Sequence, residues 1–235
     1  MSESTMPEPG YPPAPSGGFS AISKYNPHLW TPEQLRAIFV ARQRELAEAV
    51  QTLRDLPTGT VGQHCLLVGA RGMGKSTLMQ RLALAVEDDA SLSAIWLPLR
   101  FPEEQYTVHT LAQFWANVLD SLADALERHG QPAEAIAAID ATSTRLAALP
   151  PAEQAEAALQ ALRHISQTRG QRLLLLVDNT DLLLHNIGPQ EQWTLRQMLL
   201  SEPQFLWVGG SCQSLEANGQ YHDAFLDFFR TTELR

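Results

Sequence analysis

The run Gly69-Ala70-Arg71-Gly72-Met73-Gly74-Lys75-Ser76-Thr77 fits the pattern G-x-x-x-x-G-K-[ST] in full. The chemistry such a run supports is the binding of phosphate groups. Its glycines let the backbone curl until successive N–H groups face inward, where they hold β-phosphate oxygens. The apolar LLV leads in and LMQRLALAV leads out, so the run joins a strand to a helix whose N-terminal end adds partial positive charge. Lys75 reaches the β- and γ-phosphates, Ser76 offers a hydroxyl to Mg²⁺, and Thr77 lies near the α-phosphate. Gly69, Ala70, Gly72 and Gly74 form the cradle, with Arg71 and Met73 at its variable, solvent-facing positions.

A site of this kind also needs an acid on the metal side, at the tip of a neighbouring strand. LLLLVD supplies Asp178, whose carboxylate would hold the water shell of Mg²⁺. The next residue is Asn179, where many hydrolysing proteins of this type have Glu. An amide can hold a water by hydrogen bonds but cannot take its proton. Asp181, or Glu103 and Glu104 beyond the second strand, are the carboxylates that could stand in. Slow hydrolysis, or none without a partner, is the expectation.

The elements that must carry these residues follow from periodicity and punctuation. Thr31 as N-cap, Pro32 at the first helical position and Gln34 as capping-box partner begin a helical stretch that ends near Leu56, as one helix or as two broken near Val40–Arg42. Strands are expected at HCLLVG, at 94–99, at 172–177 and at 205–211. A long amphipathic helix is expected from Thr107 to Arg128, further helices over 190–200 and around Tyr221–Phe229, and no strand after the last. Residues 130–170, broken at Pro150-Pro151, read as an alanine-rich helical insert lying against the main body. Unbroken apolar strands alternating with helices predict an α/β fold, a mostly parallel sheet covered on both faces.

The chain has 235 residues, 44% of them hydrophobic, enough for one generous core spanning 29–235. Residues 1–28 are Pro-rich and read as a disordered tail or a docking peptide. The net charge of −9 argues against a bare nucleic-acid module, although not against a local basic patch. No apolar run reaches membrane-spanning length and no secretory signal is visible, so a cytoplasmic location is expected. Cys65 and Cys212 fall at opposite ends of parallel strands, too far apart to pair.

The motif set resembles the additional-strand class of P-loop ATPases. Phe39-Val40-Ala41-Arg42-Gln43-Arg44-Glu45-Leu46 is similar to the F-x-G-R-e-x-E-L box that precedes the loop in STAND signalling ATPases and origin-recognition-type AAA+ proteins, with Ala41 in place of the customary Gly. The resemblance runs from about Phe39 to Arg230 and implies strand order 5-1-4-3-2, the fifth strand absent or incomplete here. It implies ATP and Mg²⁺ as cofactors, and Arg42 near the adenine and ribose. Ser211, at a strand tip beside the γ-phosphate, would sense that group, or is a satisfied hydroxyl in a turn. Arg230 would be an arginine finger at the end of a helix, aimed at a neighbour's γ-phosphate, or an ordinary helix-end cation. A lid or winged-helix domain follows in such proteins and is absent from this chain. The function implied is a nucleotide-dependent assembly or signalling switch with ATP or ADP bound, self-association or another protein as partner, and no direct nucleic-acid contact from this portion. A non-hydrolysing, nucleotide-stabilised adaptor and a P-loop kinase are the alternatives. The absence of an N-K-x-D segment removes the usual guanine reader.

Overall fold

The computed structural model describes residues 30–101, 108–215 and 224–235; the Pro-rich tail, Glu103 and Glu104, Thr107 and Tyr221 lie outside the described residues. The chain order is α1 (Pro32–Ile38), α2 (Gln43–Asp55), β1 (Cys65–Val68), α3 (Lys75–Asp88), α4 (Ala90–Ser93), β2 (Trp96–Arg100) and α5 (Leu111–Arg128). It continues with α6 (Ala133–Ala147), α7 (Pro151–Arg169), β3 (Arg172–Val177), α8 (Thr180–Asn186), α9 (Pro189–Ser201), β4 (Phe205–Ser211) and β5 (Arg230–Glu233). The strands form one parallel sheet in the order β2-β3-β4-β1-β5.

The period of the strand explains the unbroken leucines of β3. Leu173, Leu175 and Val177 join one core with α5 and α9, whereas Leu174 and Leu176 point into the other with α2 and α3. Every residue of β3 and β4 is buried, as a strand covered on both faces requires. β3 and β4 therefore sit in the middle of the sheet, and their C-terminal tips open onto the end where the Gly69–Thr77 loop lies.

Of the two readings of the first helical stretch the broken one holds, and two other expectations are corrected. The first helical stretch is two helices, and the break at Phe39–Arg42 is made by Arg42, which caps α2 in a left-handed conformation (φ 64°). Ala41, in the customary Gly position, does not adopt that conformation. A fifth strand is present: Arg230–Glu233 pairs with β1, and residues 224–229 form turns rather than the end of a helix. These turns bury Phe225 and Phe229 against Trp207 and Phe228 against His64, which explains why an apolar run there need not be helical. The insert, finally, does more than lie against the body. α6 and α7 break before Pro150 as expected, but Ile139, Leu159 and Leu162 enter the α5 side of the core.

The predicted capping box is formed: Gln34 N–H donates to Thr31 Oγ1 at 3.3 Å, and Thr31 N–H to Gln34 Oε1 at 3.0 Å. Arg36 on Asp88 and Arg54 on Asp89 then fasten α1 and α2 to the far end of α3, so the box between those helices is held over the loop.

Candidate nucleotide site

β1 ends at Val68, and the chain turns through Gly69–Gly74 into α3. Gly72 and Gly74 stand at φ 86° and 88°, where L side chains are strained, which is why glycine is needed there. Gly69 has a different reason. A Cβ on it would lie 3.0 Å from the Leu234 carbonyl oxygen, where the chain beyond β5 crosses the loop.

Lys75 is buried and bridges its own loop, donating to the carbonyl oxygens of Gly69 (2.7 Å) and Ala70 (3.2 Å). The same ammonium lies 3.8 Å from Cys212 Sγ, just past the tip of β4. Ser76 Oγ donates to Asp178 Oδ2, while Asp178 Oδ1 accepts the N–H of Asn179 at 2.9 Å. Two hard oxygen donors, one anionic, are thus in contact at the foot of the loop. That donor set suits Mg²⁺, which takes few protein oxygens and completes its shell with water and phosphate. Ser76 and Asp178 are the residues that would hold the ion, and its chemistry there would be neutralising phosphate charge.

Asn179, two residues past the end of β3, caps α8 in the left-handed region (φ 49°), a conformation its short amide side chain tolerates better than most residues. Asp181 in the first turn of α8 accepts the N–H of Cys212 at 3.3 Å. Ser211 is buried, and its hydroxyl donates to the Gln213 carbonyl and accepts the Gln213 N–H. The satisfied-hydroxyl reading describes these contacts. Ser211 touches the loop through its backbone, its carbonyl accepting the N–H of Gly69 at 3.2 Å.

Beside the loop lies a cavity of about 650 Å³ lined by Trp30, Ile38, Phe39, Val40 and Arg42 on one side and Gly72, Met73, Gly74 and Thr77 on the other. Its walls are mainly apolar, and it has room for a base and ribose. Arg42 lines it, and its guanidinium pairs with Glu45 (3.0 Å) and donates to the Arg235 carbonyl (2.8 Å). Arg71 is exposed, whereas Met73 is half-buried against the core, so only Arg71 faces solvent as expected.

Arg230 is not brought to this site. It opens β5, aligned with Cys65 at the start of β1, at the end of the sheet opposite the loop. Its exposed guanidinium donates to Thr52 Oγ1 at 3.2 Å. The two cysteines are free and lie at opposite ends, as expected, and burial pushes the Cys65 thiol up.

The sequence reading missed Gly209 and Gly210. A Cβ on Gly209 would stand 2.4 Å from Thr180 Oγ1, and one on Gly210 would stand 2.6 Å from Asp178 Oδ1. Tandem glycines within an apolar strand were the available signal, because they mark close approach by a neighbour. Nothing in the sequence marked Trp30 as a wall of the cavity.

A glycine-rich loop between β1 and α3, an acid at the tip of β3 and a strand inserted between them define a P-loop nucleotide-binding protein of the additional-strand kind. A model of the AAA ATPase domain family matches residues 38–229, and the chain belongs to that family. Among solved structures it is similar to the ORC1 protein of Aeropyrum pernix in complex with DNA (18% identity, TM-score 0.57, 87% of this chain and 47% of that one). It is also similar to the ORC2 protein of Aeropyrum pernix in ADPNP–ADP complexes (15% identity, TM-score 0.57, 83% and 48%) and to Cdc6p from Pyrobaculum aerophilum (14% identity, TM-score 0.51, 90% and 48%). These likenesses establish the shared fold, and the chain spans about half the length of each of those proteins. Among curated proteins no relative matches. Among the described residues no helix is long and apolar enough to cross a membrane.

Proposed function

We propose that these residues bind ATP with Mg²⁺ and act as a nucleotide-dependent assembly or signalling switch of the STAND or origin-recognition type, hydrolysing ATP slowly or with a partner's help. The observation that carries this reading is the convergence of Lys75, Ser76 and Asp178 under one loop. Lys75 would leave the Gly69 and Ala70 carbonyls for the β- and γ-phosphates, and the apolar cavity by Phe39 would take the base. The cytoplasm, where ATP is plentiful, is the location that goes with it.

Isothermal titration of the protein with ATP–Mg²⁺ tests the reading. Saturable heat that Lys75→Ala removes supports it, and no heat up to low-millimolar nucleotide would falsify it. Asn179 favours a second reading, an adaptor that binds nucleotide and turns nothing over. Phosphate release no faster than that of the Lys75→Ala control, with and without candidate partners, would establish the adaptor.

The partner we assign is protein. The Aeropyrum pernix ORC1 structure contains DNA, but a net charge of −9 makes this portion a poor match for a phosphate backbone. Arg230 lies across the sheet from its own loop, so a γ-phosphate it meets belongs to a second chain. Arg230 as a finger acting between copies is part of this proposal.

A further inference from the structure

Asn179 leaves the site without a carboxylate next to Asp178, and the geometry points to Asp181 as the group that orients the attacking water. This inference rests on the ATPase reading above. The left-handed turn at Asn179 brings α8 back toward β4, so that Asp181, the second residue of the helix, meets the segment just beyond the β4 tip. Its Oδ2 accepts the Cys212 N–H at 3.3 Å, and Cys212 Sγ lies 3.8 Å from Lys75 Nζ. A single residue therefore separates the Asp181 carboxylate from the ammonium that would turn from the loop carbonyls to the γ-phosphate.

The other carboxylate here is already committed. Asp178 is held by Ser76 and by the Asn179 N–H, on the side where a metal would bind. Asp181 has one described partner, on Oδ2, which leaves Oδ1 to accept from water. Water has a route to it: Asp181 lines a cavity of about 410 Å³ whose polar walls are His185, Gln192, Gln213 and Ser214 and whose apolar walls include Leu184 and Phe225. The Cys212 N–H fixes the carboxylate's orientation, as a base needs if it is to meet a water at one angle.

In the step this supports, the oxygen of water bonds to the γ-phosphorus as the bond from that phosphorus to the bridging oxygen breaks. The bridging oxygen leaves with ADP and takes the electron pair. One water proton stays on the phosphate, and the other passes to Asp181 Oδ1 and on to solvent.

The test uses Asp181→Asn, because an asparagine Oδ1 can still accept the Cys212 N–H and only the charge and basicity are lost. Phosphate release should fall by at least about tenfold, toward the range general bases supply. ATP affinity by titration and the rate of Cys212 alkylation by N-ethylmaleimide, followed on its peptide, should stay at the parent's values. The fall in rate at low pH should disappear from the profile, and Asp181→Glu should recover part of the turnover. An unchanged rate in an ATP-binding Asp181→Asn protein overturns the inference and leaves the ATPase reading standing. Faster Cys212 alkylation together with lost turnover makes Asp181 an anchor for the β4 tip and also overturns it. If the parent binds ATP but releases phosphate no faster than Lys75→Ala, with and without candidate partners, there is no water to orient: the inference and ATP hydrolysis fall together, and the nucleotide-binding adaptor stands. If the parent binds no ATP, both fall.

Discussion

Gly210 of β4 passes so close to Asp178 at the tip of β3 that a Cβ on it would stand 2.6 Å from Asp178 Oδ1. The approach lets a buried carboxylate sit level with Ser76 while its other oxygen holds the Asn179 N–H. Gly210→Ala should displace Asp178 without touching the loop. Metal-dependent ATP affinity should drop about 10- to 100-fold, the usual cost of disturbing the support of a metal ligand. Titrations with and without Mg²⁺ check this, and equal losses in both would show that the substitution damages more than the metal side.

Asn179 adopts φ 49°, so its identity has a conformational reason besides any catalytic one. Asn179→Glu puts a longer side chain into the left-handed region and should cost about 1–2 kcal/mol of stability. Denaturant unfolding measures that loss. If the rate is limited by the missing base, the same variant should raise phosphate release by about tenfold or more. A faster but less stable protein is the expected combination.

Arg230 donates to Thr52 of α2 and is otherwise exposed at the end of the sheet opposite the loop. If it serves a second copy, ATP should promote self-association and Arg230→Ala should abolish it while leaving nucleotide affinity intact. A planar guanidinium suits the γ-phosphate better than a point charge does. Sedimentation with ADP and with a non-hydrolysable ATP analogue reads this out. Equal assembly by parent and variant would make Arg230 an ordinary surface cation.

His64 is buried, stacked on Phe228, with Nδ1 accepting the Trp207 N–H at 2.9 Å. Burial holds its pKa down to about 4 from the usual 6.5. The unfolded chain then binds the proton first as pH falls, so the stability present above pH 6.5 is progressively lost on the way down to about pH 4. The full loss from this one group is about 3 kcal/mol, and most of it is already felt by pH 4.5. Urea unfolding at a series of pH values should show the slope. His64→Phe should be less stable at neutral pH, because it orphans the Trp207 N–H, yet should lose less on acidification. A parallel slope would assign the acid sensitivity to other groups.

The loop, the acid and the parallel sheet were legible in the chain because each is written locally. Gly69–Thr77 carries its own backbone demands, and the RLLLLV run can only be satisfied by burial on both faces. The Thr31–Gln34 cap was readable for the same reason, since its partners are three residues apart. Strand order followed from the resemblance of the motifs. Other features depended on groups distant in sequence. Apolar spacing predicts a helix around Tyr221–Phe229, but packing of Phe225, Phe228 and Phe229 against Trp207 and His64 folds 224–229 into turns and frees Arg230–Glu233 to form β5. Arg230 consequently opens a strand instead of closing a helix. The need for glycine at 209 and 210 arises only when β3 supplies Thr180 and Asp178 as neighbours. Asp181 meets Cys212 across thirty-one positions of chain. Local geometry can be read from neighbours in sequence, whereas a carboxylate's partners are set by how two strand tips and a helix start converge, and that convergence belongs to the tertiary structure.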